Sequence, residues 1–180
     1  ILIGRMAGPL VEAFARVAAR EGRRVAVHGA SEGLTRTFAD LQRDVADLRR
    51  AFDALHLPPR ATIVSHVGNR TGFIPLFVAS LAHGCAILSV DGDAPQADVL
   101  GMAATYGADL IVVAAPGGLV DGAPRVALPC GLAAVARSGR SSWRRDDDPD
   151  ALVLKVTSGS THASKVIIAT EDNVFADGEP

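Results

Sequence analysis

The residues best suited to chemistry lie near the end of the chain, in Thr157-Ser158-Gly159-Ser160-Thr161-His162-Ala163-Ser164-Lys165. Hydroxyl side chains, one glycine and one lysine stand between two apolar, β-type runs, Ala151–Leu154 and Val166–Thr170. That composition suits a polyphosphate. Hydroxyls and backbone N–H groups donate to phosphate oxygens, glycine admits close backbone approach, and lysine adds a point charge. An ordinary turn has the same residue types, so both readings stand at this level. Of the 18 basic residues only Lys155 and Lys165 are lysines. A lysine in so arginine-rich a chain points to a need for a compact charge.

Two other motifs touch this chemistry and fail. A P-loop requires G-x-x-x-x-G-K-[ST] ahead of a helix. Here Ser164 replaces the second glycine, Val166 replaces the final hydroxyl, and a β-branched run follows Lys165. A G-x-S-x-G pattern occurs at Gly29-Ala30-Ser31-Glu32-Gly33. A hydrolase using Ser31 would need a strand before it and a helix directly after. The strand is there, but Leu34–Phe38 reads as extended.

The elements that must position the hydroxyl-rich segment alternate. Pro9–Glu21 reads as a helix, Val25–His28 as a strand, and Leu34–Phe38 as its hairpin partner. Thr37 with Asp40 resembles a capping box. The helix it opens carries Leu41, Val45, Leu48, Phe52 and Leu55 on one stripe and stops at Pro58-Pro59. Strands are expected at Thr62–His66, Cys85–Val90, Asp109–Ala115 and Arg125–Leu128. Helices are expected at Gly72–His83, with Asn69 capping it and Gly84 ending it, and at Pro95–Tyr106, ended by Gly107. Short apolar strands between helices imply an α/β fold with a largely parallel sheet flanked by helices. Residues 138–150 read as a solvated polar connector, with Trp143 a packing anchor.

With the elements in place, Thr157–Thr161 followed by Lys165 resembles the phosphate-loop signature of the adenylate-forming enzymes. These include acyl- and aryl-CoA synthetases, peptide-synthetase adenylation domains and luciferases. Thr37-Phe38-Ala39-Asp40-Leu41 is similar to the family's T-Y-x-E-L helix start. Leu81–Ala86, Val90-Asp91 and Pro95 are similar to its L-x-x-G-A-x-x-x-P-x-D-x-x-x-P element. The resemblance runs in order over most of residues 10–175. It departs from the family at His162, Ser164 and Val166, where the family has glycine, proline and glycine.

The resemblance implies that the chain is the first lobe of the large N-terminal AMP-binding domain, a single partial domain over 1–180 without the C-terminal domain. It implies ATP-dependent carboxylate activation, with ATP, Mg²⁺ and coenzyme A or a carrier-protein phosphopantetheine as cofactors. Its substrate would be a small-molecule carboxylate, with fatty acids among the candidates, and its partner the remainder of the same polypeptide. Thr157, Ser158, Gly159, Ser160, Thr161 and Lys165 would hold the phosphates. No catalytic or metal-binding residue is implied within this stretch, which would be inactive alone. The departures leave a non-catalytic scaffold with a degenerate loop as the alternative.

Composition limits the rest. The 180 residues are long enough for a sizeable core, and 48% are hydrophobic. A net charge of −2 gives no electrostatic drive toward nucleic acid or anionic membrane. Aromatics, at 4%, are too few for base-stacking platforms. The uncharged stretch between Arg70 and Asp91 is interrupted by Pro75, His83, Gly84 and Ser89, so a buried helix and strand are expected there and no membrane span. Cys85 and Cys130 match no metal or redox spacing and point to a reducing compartment; the expected location is cytoplasmic. His28, His56, His66 and His83 share no ligand spacing, and Asp91 and Asp93 read as turn residues.

Overall fold

The computed structural model describes residues 8–115, 124–136, 152–157 and 165–177. Helix α1 (Pro9–Glu21) carries proline in its first turn, where a missing N–H costs nothing. Strands β1 (Val25–Gly29) and β2 (Leu34–Thr37) form an antiparallel hairpin outside the main sheet. Helix α2 (Phe38–Ala54) opens with the expected capping box: Asp40 N–H donates to Thr37 Oγ1 at 3.2 Å, and Thr37 N–H donates to Asp40 Oδ2 at 3.0 Å. It ends at Ala54, four residues before Pro58, and His56 takes a left-handed φ of 52° as the chain leaves it.

The main sheet has seven strands in the order β6-β7-β5-β3-β4-β8-β9. These are β3 (Thr62–His66), β4 (Ala86–Ser89), β5 (Leu110–Ala114), β6 (Val126–Leu128), β7 (Leu132–Ala136), β8 (Val153–Thr157) and β9 (Lys165–Ala169). The inner strands β5, β3, β4 and β8 are parallel. Strands β7, β6 and β9 run antiparallel to their inner neighbours. The parallel core agrees with the sequence, whereas β7 and the antiparallel flanks are additions to it.

Helix α3 (Phe73–His83) joins β3 to β4, and α4 (Gln96–Thr105) joins β4 to β5. They cover opposite faces. Leu48 and Phe52 of α2 and Leu76 of α3 pack on Ile63, Ile87 and Val112; Val99 and Ala103 of α4 pack on Val64, Leu88 and Ile111. Alternate residues of one strand thus enter different cores, as burial on both faces requires. Gly84, at φ 76°, ends α3 in the left-handed conformation open to glycine. The N-cap of α3 is Gly72, with no side-chain hydrogen bond, rather than Asn69 three residues earlier. A Cβ on Gly72 would lie 2.9 Å from the Cys130 carbonyl oxygen, so the start of this helix packs too closely on the β6–β7 turn for a larger residue.

Phe52 is fully buried at the centre of the α2 stripe. Phe52→Ala is expected to cost about 3–5 kcal/mol in urea unfolding. Thr37→Ala, which removes the cap, is expected to cost about 1 kcal/mol. The Thr37 N–H and hydroxyl hold the Asp40 carboxyl below its ordinary value. The stability this group contributes is present above the unfolded carboxyl's pKa, about 3.9, and is lost as pH falls through the lower folded value. Asp40→Asn should therefore flatten the acid limb of a stability–pH curve.

Candidate functional site

The expected phosphate-binding segment is carried by the hairpin of β8 and β9. Thr157 ends β8, Lys165 begins β9, and the two are register partners at the open end of the ladder. The chain therefore brings the first and last of the six expected site residues directly opposite one another. Ser158, Gly159, Ser160 and Thr161 lie outside the described residues, as do His162, Ser164, Trp143 and the 138–150 connector. Strand β8 is parallel to β4, so Thr157 stands at the C-terminal edge of the parallel strands. In open α/β sheets that edge, outside the strand ends, is where ligands bind.

The far side of the hairpin is tied down by a carboxylate. Helix α5 (Glu171–Asp177) follows β9 after one residue, and its start is fixed by Thr170: Asn173 N–H donates to Thr170 Oγ1 at 3.2 Å, and Thr170 N–H donates to Asn173 Oδ1 at 3.0 Å. Glu171, 7% exposed, accepts the N–H groups of Leu10 and Val11 through Oε1, at 2.9 and 3.0 Å. A carboxylate from the end of the chain thus caps the N-terminus of α1, satisfying two orphan donors and meeting the positive end of the helix dipole. A Cβ on Gly8 would lie 1.8 Å from Glu171 Oε2, so any larger residue there would have to displace the carboxylate from this position. Sequence spacing gave no hint of the pairing, since the partners are 160 and 161 residues apart.

The competing nucleophiles are accounted for. Ser31 sits in an exposed turn, and β2 pairs back on β1 instead of opening a helix, so no nucleophile elbow forms. Glu32 in that turn is structural: its Oε2 accepts Thr71 N–H at 2.7 Å, and Oε1 lies 4.0 Å from Arg70, joining the hairpin to the entry of α3. Neither cysteine forms a disulfide. Cys85 is buried, and burial, assisted by Asp44, pushes the Cys130 thiol up to about 12, so Cys130 is not poised as a thiolate. Among the described residues no three His, Cys, Asp or Glu side chains gather as a metal site, and no helix is long and apolar enough to cross a membrane.

No protein-family model and no curated protein matches the chain. Solved structures do. An inhibitor-bound N-terminal domain of FACL13 from Mycobacterium tuberculosis aligns over 92% of this chain and 45% of its own, with a TM-score of 0.69 at 15% identity. The fold is that of the N-terminal domains of adenylate-forming enzymes. The Klebsiella oxytoca NpsA N-terminal subdomain, in complex with anthranilyl-AMSN, aligns over 94% of this chain and 43% of its own, with a TM-score of 0.66 at 18% identity. o-Succinylbenzoate CoA synthetase from Bacillus subtilis, in complex with its acyl-adenylate intermediate, aligns over 91% and 43%, with a TM-score of 0.66 at 14% identity. The chain spans less than half the length of each of these proteins.

Glu171→Ala leaves two α1 donors without their acceptor and is expected to cost about 1–3 kcal/mol in urea unfolding. Glu171→Gln keeps a carbonyl acceptor and should cost clearly less. Equal stability of both variants and the parent would show that the cap contributes nothing.

Proposed function

We propose that the chain is the first lobe of a larger N-terminal domain that activates carboxylates with ATP. The observation that carries this is the β8–β9 hairpin: it sets Thr157 opposite Lys165 at the C-terminal edge of the parallel strands, with a hydroxyl-rich connection between them. In this reading Thr157, Ser158, Gly159, Ser160, Thr161 and Lys165 bind the β- and γ-phosphates. The substrate carboxylate attacks the α-phosphorus, an acyl–phosphate bond forms, and pyrophosphate leaves. A thiol, of coenzyme A or a carrier-protein arm, then takes the acyl group and releases AMP. The loop contributes positioning and charge stabilisation. Magnesium would be bound by the phosphates and by parts of the protein outside the described residues. Adenylate-type ligands in the solved neighbours support the same chemistry.

The departures at His162, Ser164 and Val166 favour a second reading, a scaffold that keeps the fold and has lost the reaction. Glycine in such a loop often serves positive φ or close approach, and a histidine in its place would bring a ring that competes with a phosphate for space.

Carboxylate-dependent ATP–pyrophosphate exchange separates the two. It is run on the full-length protein with fatty, aryl and amino acids. Exchange with any acid establishes adenylation. Silence from folded protein, restored by His162→Gly, identifies a damaged loop, and continued silence identifies the scaffold. In an active protein Lys165→Ala should lower kcat/KM for ATP by about 1.5–3 kcal/mol, on the order of ten- to a hundredfold. Unchanged kinetics would remove Lys165 from the site.

A further inference from the structure

Strand β9 is the last strand of the sheet, and the usual determinants of strand register are weak there. A hairpin closed by a tight turn of about two residues takes its register from the turn. The connection from Thr157 to Lys165 is seven residues long, 158–164, so its length imposes no single register. A strand with one buried face is held by alternation, because a one-residue slip exchanges its faces. Along β9 there is no alternation: Val166 and Ala169 are half-buried, while Ile167 and Ile168, on opposite faces, are both exposed. A slip would exchange one exposed isoleucine for the other.

The feature that distinguishes one register lies just beyond the strand. Glu171 follows Ala169 by two positions, and its Oε1 accepts the Leu10 and Val11 N–H groups at 2.9 and 3.0 Å. Moving β9 by one residue along β8 shifts the chain by about 3.4 Å. Such hydrogen bonds hold only within a few tenths of an ångström of about 2.9 Å, so a shift of that size breaks both. Helix α1 packs on α2 and α3 and is not free to follow. The carboxylate has no slack on its other side either, since a Cβ on Gly8 would meet Oε2 at 1.8 Å.

We propose that Glu171 is the positioning residue that sets the register of β9, and through it the pairing of Lys165 with Thr157. The hairpin is registered from its far end, by a contact with the first described helix, and not by its own connection. Glu171 acts through the strand rather than by contact with a phosphate. The consequence for ATP rests on the reading that Thr157 and Lys165 hold phosphates; the register assignment stands without it.

The test places cysteine pairs in the full-length protein. Thr157→Cys with Lys165→Cys reports the observed register, and Thr157→Cys with Ile167→Cys reports a two-residue slip. After mild oxidation, peptide mass spectrometry measures each disulfide. With Glu171 present the 157–165 bond should predominate. Glu171→Ala should lower its yield several-fold and raise that of the 157–167 bond. Glu171→Gln, which keeps a carbonyl acceptor, should hold the original pattern. Gly8→Ala repeats the comparison with the carboxylate in place: φ at Gly8 is −74°, open to any residue, so the added Cβ acts by crowding Oε2.

Calorimetric titration with MgATP, in proteins without the added cysteines, should show about tenfold weaker binding for Glu171→Ala. Unchanged ATP binding alongside a shifted disulfide pattern would uphold the register assignment and remove Lys165 from the phosphate site. Absence of ATP binding by the parent would overturn the phosphate reading, and the disulfides would still decide the register. The proposal is overturned if the 157–165 bond fails to form with Glu171 present. It is also overturned if Glu171→Ala leaves that yield unchanged or, where this variant does not fold, if Gly8→Ala does. A lower Tm with an unchanged disulfide pattern would make Glu171 a stabilising cap and nothing more.

Discussion

Everything at the C-terminal edge depends on the register of four parallel strands. Strands β5, β3, β4 and β8 are aligned so that Leu110, Ile63, Ile87 and Val153 share one row. Both faces of β5, β3 and β4, and of β8 at Val153 and Leu154, are buried, and that is what locks the alignment. A one-residue slip of any strand would send its α3-side residues to the α4 side and exchange two packed sets at once. The rows of this register also fix which residues meet at the edge. They decide that Ser65, Ser89 and Lys155 are neighbours, and that the connection leaving Thr157 starts at the same edge.

The register alone would leave the outer end of the sheet loose. Strand β9 is the last strand, and Ile167 and Ile168 are 55% and 41% exposed on its two faces. Its position is set by pairing with β8 on one side and by the cap that Glu171 places on α1 on the other. The cap joins the last described helix to the first, so the hairpin opposite Thr157 is held by parts of the chain that are remote in sequence. Ala169 and Val174 join the same apolar cluster as Leu10 and Val11, which gives the carboxylate contact an apolar backing.

Much of this was legible in the sequence, for identifiable reasons. Helix α1 and β3 fall where periodicity puts them, because Leu10, Phe14, Val17 and Ala18 keep a helical spacing and Thr62–His66 is a short run bounded by turn residues. Thr37 and Asp40 announce α2 because a capping box is a local device. Strand β7 was not legible. Leu132–Ala136 is rich in alanine, which has little strand preference, and it is a strand only because β5 and β6 pair with it on either side. The clue is the turn Pro129-Cys130-Gly131, where Cys130 and Gly131 both take positive φ, at 64° and 66°. The hydroxyl-rich segment was legible as chemistry, since its residue types are contiguous. The row of Ser65, Ser89 and Lys155 was not, because its members are separated by 24 and 66 positions and meet only through register.

This contrast bears on how the departures at His162, Ser164 and Val166 should be weighed. A loop that resembles a family motif is judged residue by residue against that motif, and each departure counts as a loss. The sheet supporting such a loop follows a different rule, since its residues are constrained by packing. There, an apolar position that becomes polar costs stability and persists only where something offsets the cost. The chain combines the two: it departs from the motif at three loop positions and carries polar residues across three adjacent strands one row above an apolar core.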